Sequence, residues 1–253
     1  SGQGNISRAF VVSHGIATWS GVMPLREQIK GRKSMGKHEK PFVIGIDHGY
    51  GLIKTANREF SSGLTKMAVM PPFTHNILNY EGNIYAVGQV RQNHKADKTA
   101  NEDYYLLTLV AIAEELKRVG TNHMRDMILA VGLPYSFMST QMESFKSYLL
   151  KNRNISFTYE GIQYRVEVAD AYVFPQGFPI LSEDLEKYAG RVSAVDIGSR
   201  TIDVLTFQGG RPQYDKCFSM DKGGVIDCIQ KIKDGFTAKY QIEPEEYLVQ
   251  SFL

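Results

Sequence analysis

The chain has 253 residues, 43% of them hydrophobic and 22% charged, with a formal net charge of +2. That balance describes a soluble globular protein with room for one large or two modest cores, and it gives no electrostatic case for direct nucleic-acid or membrane binding. No apolar run approaches the ~18 residues of a membrane-spanning helix, no secretory signal of the usual form is present, and two cysteines without metal or redox spacing, Cys217 and Cys228, fit a reducing cytoplasm.

Residues 1–34 lack periodicity, and the first Met of a natural-looking start is Met35, followed by Gly36-Lys37-His38-Glu39-Lys40. Residues 1–35 are therefore expected to be a non-native or disordered leader, translated upstream sequence in an over-extended frame or else a basic tail. The genomic nucleotides ahead of the Met35 codon decide between the two.

The next stretch, Phe42 to Lys54, organises the rest. Phe42–Ile46 reads as a buried strand ending in Asp47, followed by a turn with Gly49 and Gly51 and a second apolar run into Lys54. Glycines after a strand let backbone N–H groups converge on an anion. A carboxylate at the strand end can hold a hydrated Mg²⁺, and Lys54 can place a point charge on a phosphate. A plain β-hairpin would have the same outline. What favours the phosphate site is a second copy, Ala194 to Leu205, in which Asp196 aligns with Asp47 and Gly198 with Gly49.

Between the copies the pattern predicts a hairpin (76–80 and 84–87), then a helix capped by Thr99 or Asn101, running through Tyr105, Leu109, Ile112 and Leu116 and ended by Gly120. A strand at 127–131, a helix at 139–150, a hairpin at 155–168, a strand at 171–174 and a helix at 182–188 follow. After the second copy come a helix from Gly223 or Gly224 through Phe236 and another near Pro244. Cys228 falls on the apolar side of the former and is expected in the core, as are Met67 and Met70. His48 is expected to be a hydrogen-bonded turn residue, Asp203 to serve its hairpin, and Arg200 to meet a phosphate or solvent.

The paired hairpins resemble the phosphate motifs of the actin, heat-shock chaperone and sugar-kinase superfamily. Together with Tyr85-Ala86-Val87-Gly88, Tyr104–Leu116 and Val131-Gly132-Leu133-Pro134, the stretch Ile44–Gly51 is similar to the bacterial ParM/StbA actin-like proteins. The resemblance implies an α/β, ribonuclease H-like ATPase fold, with a first domain over 36–180 and the beginning of a duplicated second domain over 181–253. It implies ATP or GTP with Mg²⁺, the metal on Asp47 and Asp196. The amides of Gly49, Tyr50, Gly51, Gly198, Ser199 and Arg200 would bind phosphates, with the Thr201 hydroxyl and Lys54 adding to the grip. Gln176 and Asp196 would serve catalysis, Gln176 by orienting the attacking water.

The function so implied is a cytoplasmic, filament-forming ATPase that segregates plasmid or other low-copy DNA, with itself and a DNA-bound adaptor as partners. A sugar kinase, or a nucleotide-switch relative on the same scaffold, is the alternative. The family's adenosine-binding segment has no counterpart after the second motif. The expectation is thus a C-terminally truncated chain, impaired as an ATPase, which as written binds nucleotide weakly or not at all and forms no regular filament.

Overall fold

The computed structural model describes residues 41–88, 97–179 and 190–252. The leader 1–35 and the predicted helix at 182–188 lie outside the described residues. The chain opens with β1 (Val43–His48), β2 (Leu52–Thr55), β3 (Glu59–Ser61) and β4 (Leu64–Met67), then the hairpin β5 (Ile77–Tyr80) and β6 (Asn83–Val87). Helix α1 (Asp103–Val119), β7 (His123–Leu133), a 3-10 turn (Tyr135–Phe137), α2 (Met138–Leu149), β8 (Asn154–Tyr159) and β9 (Ile162–Pro175) complete a mixed sheet of nine strands.

The strand order is β3-β2-β1-β7-β9-β8-β5-β6-β4. Only the central pairs β1–β7 and β7–β9 are parallel. That is where helices must cross, and α1 and α2 lie in those connections. Both hairpins turn on a Glu-Gly or Glu-Gly-like pair with positive φ: Glu81 and Gly82 at 49° and 75°, Glu160 and Gly161 at 51° and 79°. This geometry matches the strand twist.

Two local expectations change. The hairpin return and the strand predicted at 171–174 are one 14-residue strand, β9. Its first half pairs antiparallel with β8 and its remainder parallel with β7, a change of partner that side-chain alternation does not record. Helix α1 is not a half-solvated amphipathic helix. Tyr104 to Ala113 are buried all round, so each large aliphatic there contributes about 1.5–3 kcal/mol. At its start Asn101 accepts from the Asp103 N–H at 3.2 Å, while Thr99 bonds Asp97 instead. Glu115, buried on the same helix, ties it to the end of β2 by accepting from Thr55, Asn57 and Arg118.

A second, antiparallel sheet follows: β10 (Arg191–Ile197), β11 (Ile202–Gln208), β12 (Arg211–Pro212) and β13 (Phe218–Met220), then α3 (Val225–Tyr240) and α4 (Glu246–Gln250). Ala130, Phe174, Phe178, Ala194, Leu205, Phe207 and Cys217 form a core cluster that spans both sheets. The far side is different. Val195 and Ile197 on β10 are more than half exposed, and Phe236 and Tyr240 on α3 are exposed too. Of α3 only Ile229 is buried, so Cys228 is exposed rather than in the core. Met67 is half-buried and Met70 exposed, because the chain after β4 leaves the sheet edge rather than packing back on it.

Phe145 on α2 is fully buried and meets the His48 ring edge-on at a centroid distance of 5.4 Å. Phe145→Ala should lower unfolding free energy by about 3–5 kcal/mol in urea titrations, through lost transfer energy and the cavity left under β1.

Candidate functional site

The two glycine turns meet. Across β1–β2 Asp47 stands opposite Lys54, and across β10–β11 Asp196 stands opposite Asp203. Residues directly opposite share a face of the sheet, so each hairpin presents its aspartate and its partner on one side. A β-carbon on Gly51 would lie 2.5 Å from the Ser199 Oγ. The first turn therefore touches the second, at a distance that only glycine permits.

The crossing segment after β9 closes the site from below. The Gln176 Nε2 donates to the Asp47 Oδ1 at 2.8 Å, and the Gln176 backbone N–H donates to the Leu133 carbonyl at 2.7 Å. The next residue, Gly177, sits so close to Asp196 that a β-carbon would be 3.3 Å from that residue's Cβ. One dipeptide thus contacts both aspartates, which lie 149 residues apart in the chain (196 − 47). Gln176 itself is nearly buried, at 7% exposure.

Both turns have their carbonyls held at the back. The Ser62 hydroxyl donates to the Tyr50 carbonyl at 2.6 Å, and the Ser62 N–H donates to the Gly51 carbonyl at 3.1 Å. In the second turn the N-terminus of α3 does the same work. The Val225 N–H donates to the Gly198 carbonyl and the Ile226 N–H to the Ser199 carbonyl, at 3.1 and 2.9 Å, while the Gly224 N–H donates to the Arg200 carbonyl at 2.9 Å. In a trans peptide the N–H points opposite its own C=O. The N–H groups of Gly51, Ser199, Arg200 and Thr201 are therefore directed away from those donors. The Gly198 N–H is spent inside the turn, on the Thr201 carbonyl at 2.9 Å. The Arg200 side chain leaves the turn and pairs with Asp221 at 3.6 Å.

Asp196 is pushed up to about 6, first by burial, then by the charges of Asp47 and Asp203, with Lys54 pulling the other way. Asp203 is also raised by burial, although it accepts from the Ser219 hydroxyl and from the Tyr135 N–H at 2.8 Å. That second bond runs from the 3-10 turn of the first sheet's lobe to β11, so Asp203 serves more than its hairpin: it fastens the two lobes beside the site. Among the described residues no group of three His, Cys, Asp or Glu side chains could enclose a metal ion. The half-buried pair Asp47 and Asp196 has the charge for a cation that keeps its own waters.

Sequence reasoning did not single out Lys98, and it expected His48 in the turn. Lys98 is 1% exposed, donates to the His48 carbonyl, and stands over the Tyr50 and Tyr104 rings at 5.5 and 5.2 Å. Burial pulls its ammonium down to about 8 against the opposing attraction of Asp47 and Asp203. His48 closes β1 inside the core rather than in the turn, bonds the Thr108 hydroxyl at 2.8 Å, and is held neutral by burial and by the Lys98 charge. A lone Lys in a polar stretch carries no periodic signal that could have revealed it.

Residues 45–178 match the family described as actin-like proteins, N-terminal domain, and residues 194–253 match the archaeal actin homologue MreB-like C-terminal family. This chain belongs to the actin-like proteins. No curated protein sequence matches it. Among solved structures it is similar to Ta0583, an archaeal actin homologue, at 19% identity and a TM-score of 0.66, over 83% of this chain and 70% of that one. A ParM filament from Clostridium botulinum is similar at 18% identity and 0.62, over 83% and 73%. The AlfA filament bound to AMPPNP is similar at 18% and 0.58, over 79% and 77%. The mixed α/β actin-like fold expected from the motifs is thus the fold of this chain; the finer ParM/StbA assignment is not reached at such identities.

Two outcomes follow from this geometry. Gly51→Ala should destabilise the actin-like chain by about 1–3 kcal/mol through overpacking against Ser199, and Ser199→Gly in the same chain should recover most of that loss in a double-mutant cycle. The second concerns pH. A carboxyl whose folded value is raised binds its proton more tightly in the folded state, so its contribution falls as pH rises from about 4 to about 6. Asp196→Asn should therefore gain stability over the unsubstituted chain across that window and keep the gain at pH 7, as read from urea midpoints.

Proposed function

We propose that this chain grips the phosphate end of a Mg²⁺–nucleoside triphosphate weakly between its two glycine turns, as an impaired member of the filament-forming actin-like ATPases. The observation that carries the proposal is the Gln176–Gly177 dipeptide in contact with both Asp47 and Asp196 while Gly51 touches Ser199. Two like charges held together in a partly dry site cost stability unless a cation or a proton joins them. A cation bound between them relieves that cost where the proton is absent, at neutral pH.

Asp47 and Asp196 would hold the Mg²⁺ through its waters, which accords with the absence of a denser ligand set among the described residues. The metal supplies charge neutralisation on the phosphate oxygens. Lys54, close enough to Asp196 to lower it, adds a second positive charge. The N–H groups of Gly49, Tyr50 and Gly51 from one turn and of Ser199 and Arg200 from the other line the phosphate chain, with the Thr201 hydroxyl beside them; Gly198 contributes its shape rather than its N–H. The Gln176 amide N–H₂ is held by Asp47, which leaves its carbonyl oxygen to accept from a water. An amide orients water without taking its proton, which suits slow turnover.

Related folds support the nucleotide and the polymer: Ta0583 has been solved in complex with ADP and AlfA as a filament bound to AMPPNP. Segregation of plasmid or other low-copy DNA through a bound adaptor is the cellular role this reading favours, with net charge +2 leaving DNA contact to the adaptor. No described helix is long and apolar enough to cross a membrane.

The parts described hold phosphates rather than a nucleoside. Mg²⁺–ATP and Mg²⁺–tripolyphosphate should accordingly both raise the thermal unfolding midpoint, at millimolar concentration, and EDTA should abolish both shifts. Asp47→Asn and Asp196→Asn should lose the shifts; Gln176→Ala should retain them while phosphate release falls about 10²-fold. A midpoint indifferent to both ligands with Mg²⁺ would overturn the proposal.

A further inference from the structure

Lys98 is a cost that the fold alone does not explain. An ammonium taken out of water loses several kcal/mol unless it gains charge partners. Lys98 is 1% exposed, and its hydrogen bond goes to a neutral acceptor, the His48 carbonyl. The rings of Tyr50 and Tyr104 face it. The negative charges that act on it are those of Asp47 and Asp203, the first in the candidate phosphate site and the second at the bond between the lobes. Tyr50 and Gly49 form the first turn, and the imidazole of His48 is neutral beside them.

We propose that Lys98 is a positioning residue of the phosphate site: its ammonium holds the His48–Gly49 peptide from behind and sets a fixed positive charge beside Asp47 that favours a polyphosphate and opposes a bare metal ion. The inference rests on the phosphate-gripping function proposed above. The geometric half follows from peptide planarity. With the His48 carbonyl turned to Lys98, the Gly49 N–H is directed the opposite way, the first donor of the turn. The electrostatic half follows from sign. A buried charge is weakly screened, so Lys98 attracts the phosphate chain and repels a divalent ion on Asp47 and Asp196.

These two effects separate a positioning charge from a packing residue. Lys98→Met preserves length and volume, and exchanging a buried ion for an apolar side chain is often neutral or stabilising. The full chain and Lys98→Met are compared by calorimetry with Mg²⁺–ATP, and by the spin-resonance signal of free Mn²⁺ without nucleotide. Expected is a loss of Mg²⁺–ATP affinity and a gain of Mn²⁺ affinity, each about three- to tenfold. Movement of both affinities in one direction, or an unchanged Mg²⁺–ATP affinity, overturns the inference. If the unsubstituted chain binds Mg²⁺–ATP and Lys98→Met binds it equally, only this inference fails; if the unsubstituted chain binds no Mg²⁺–ATP, the phosphate-gripping function fails with it. Should Lys98→Met not fold, Lys98→Gln keeps a donor for the His48 carbonyl without the charge. It should tighten Mn²⁺ as much and weaken Mg²⁺–ATP less.

Discussion

Two carboxylates, Asp47 and Asp196, are held where the charge of the first acts on the second, and much of the structure can be understood as what keeps them there. Repulsion and burial together raise Asp196, so the arrangement stores unfavourable energy. It persists because rigid elements on three sides leave the aspartates no room to part. Strand β1 is locked in the middle of the nine-stranded sheet, β10 is paired to β11 along its whole length, and the Gln176–Gly177 dipeptide is wedged between them. Sites that store strain of this kind are usually relieved by what they bind.

The core beneath β1 supplies the stiffness. Helix α1 is buried all round over its first three turns, and Phe145 packs against the ring of His48 at the end of the strand. His48 is the last residue before the glycine turn, so core packing reaches the site directly. The Lys98 ammonium enters at the same point, on the His48 carbonyl. Burying it there is consistent with a charge used on the turn rather than for folding.

The two lobes are unequal. The first sheet carries the larger core, whereas the second sheet buries one face against the first lobe and exposes Val195 and Ile197 on the other. The contact between the lobes is mixed: the ring of Phe178 against that of Phe207, with centroids 6.3 Å apart, and polar bonds from Tyr135 and Ser136 to Asp203 and Ser219. Polar bonds of this type exchange with water at little net cost, so they allow two lobes to shift where an apolar seam alone would not.

Local sequence determined a good deal. Turn pairs such as Glu81-Gly82 and Glu160-Gly161 specify their hairpins by backbone preference alone, and Gly120 ends α1 for the same reason. The repeat of apolar strand, aspartate and glycine turn pointed to paired hairpins, because each is complete within about a dozen residues. Tertiary structure decided the rest. It made β9 one strand by giving it two partners, enclosed α1 on all sides and left Cys228 outside. It brought Gln176 to Asp47 and Gly51 to Ser199, contacts between segments 129 and 148 residues apart (176 − 47 and 199 − 51). It alone revealed Lys98, because the burial of a charge depends on what folds over it, and no pattern of neighbours along a chain records that.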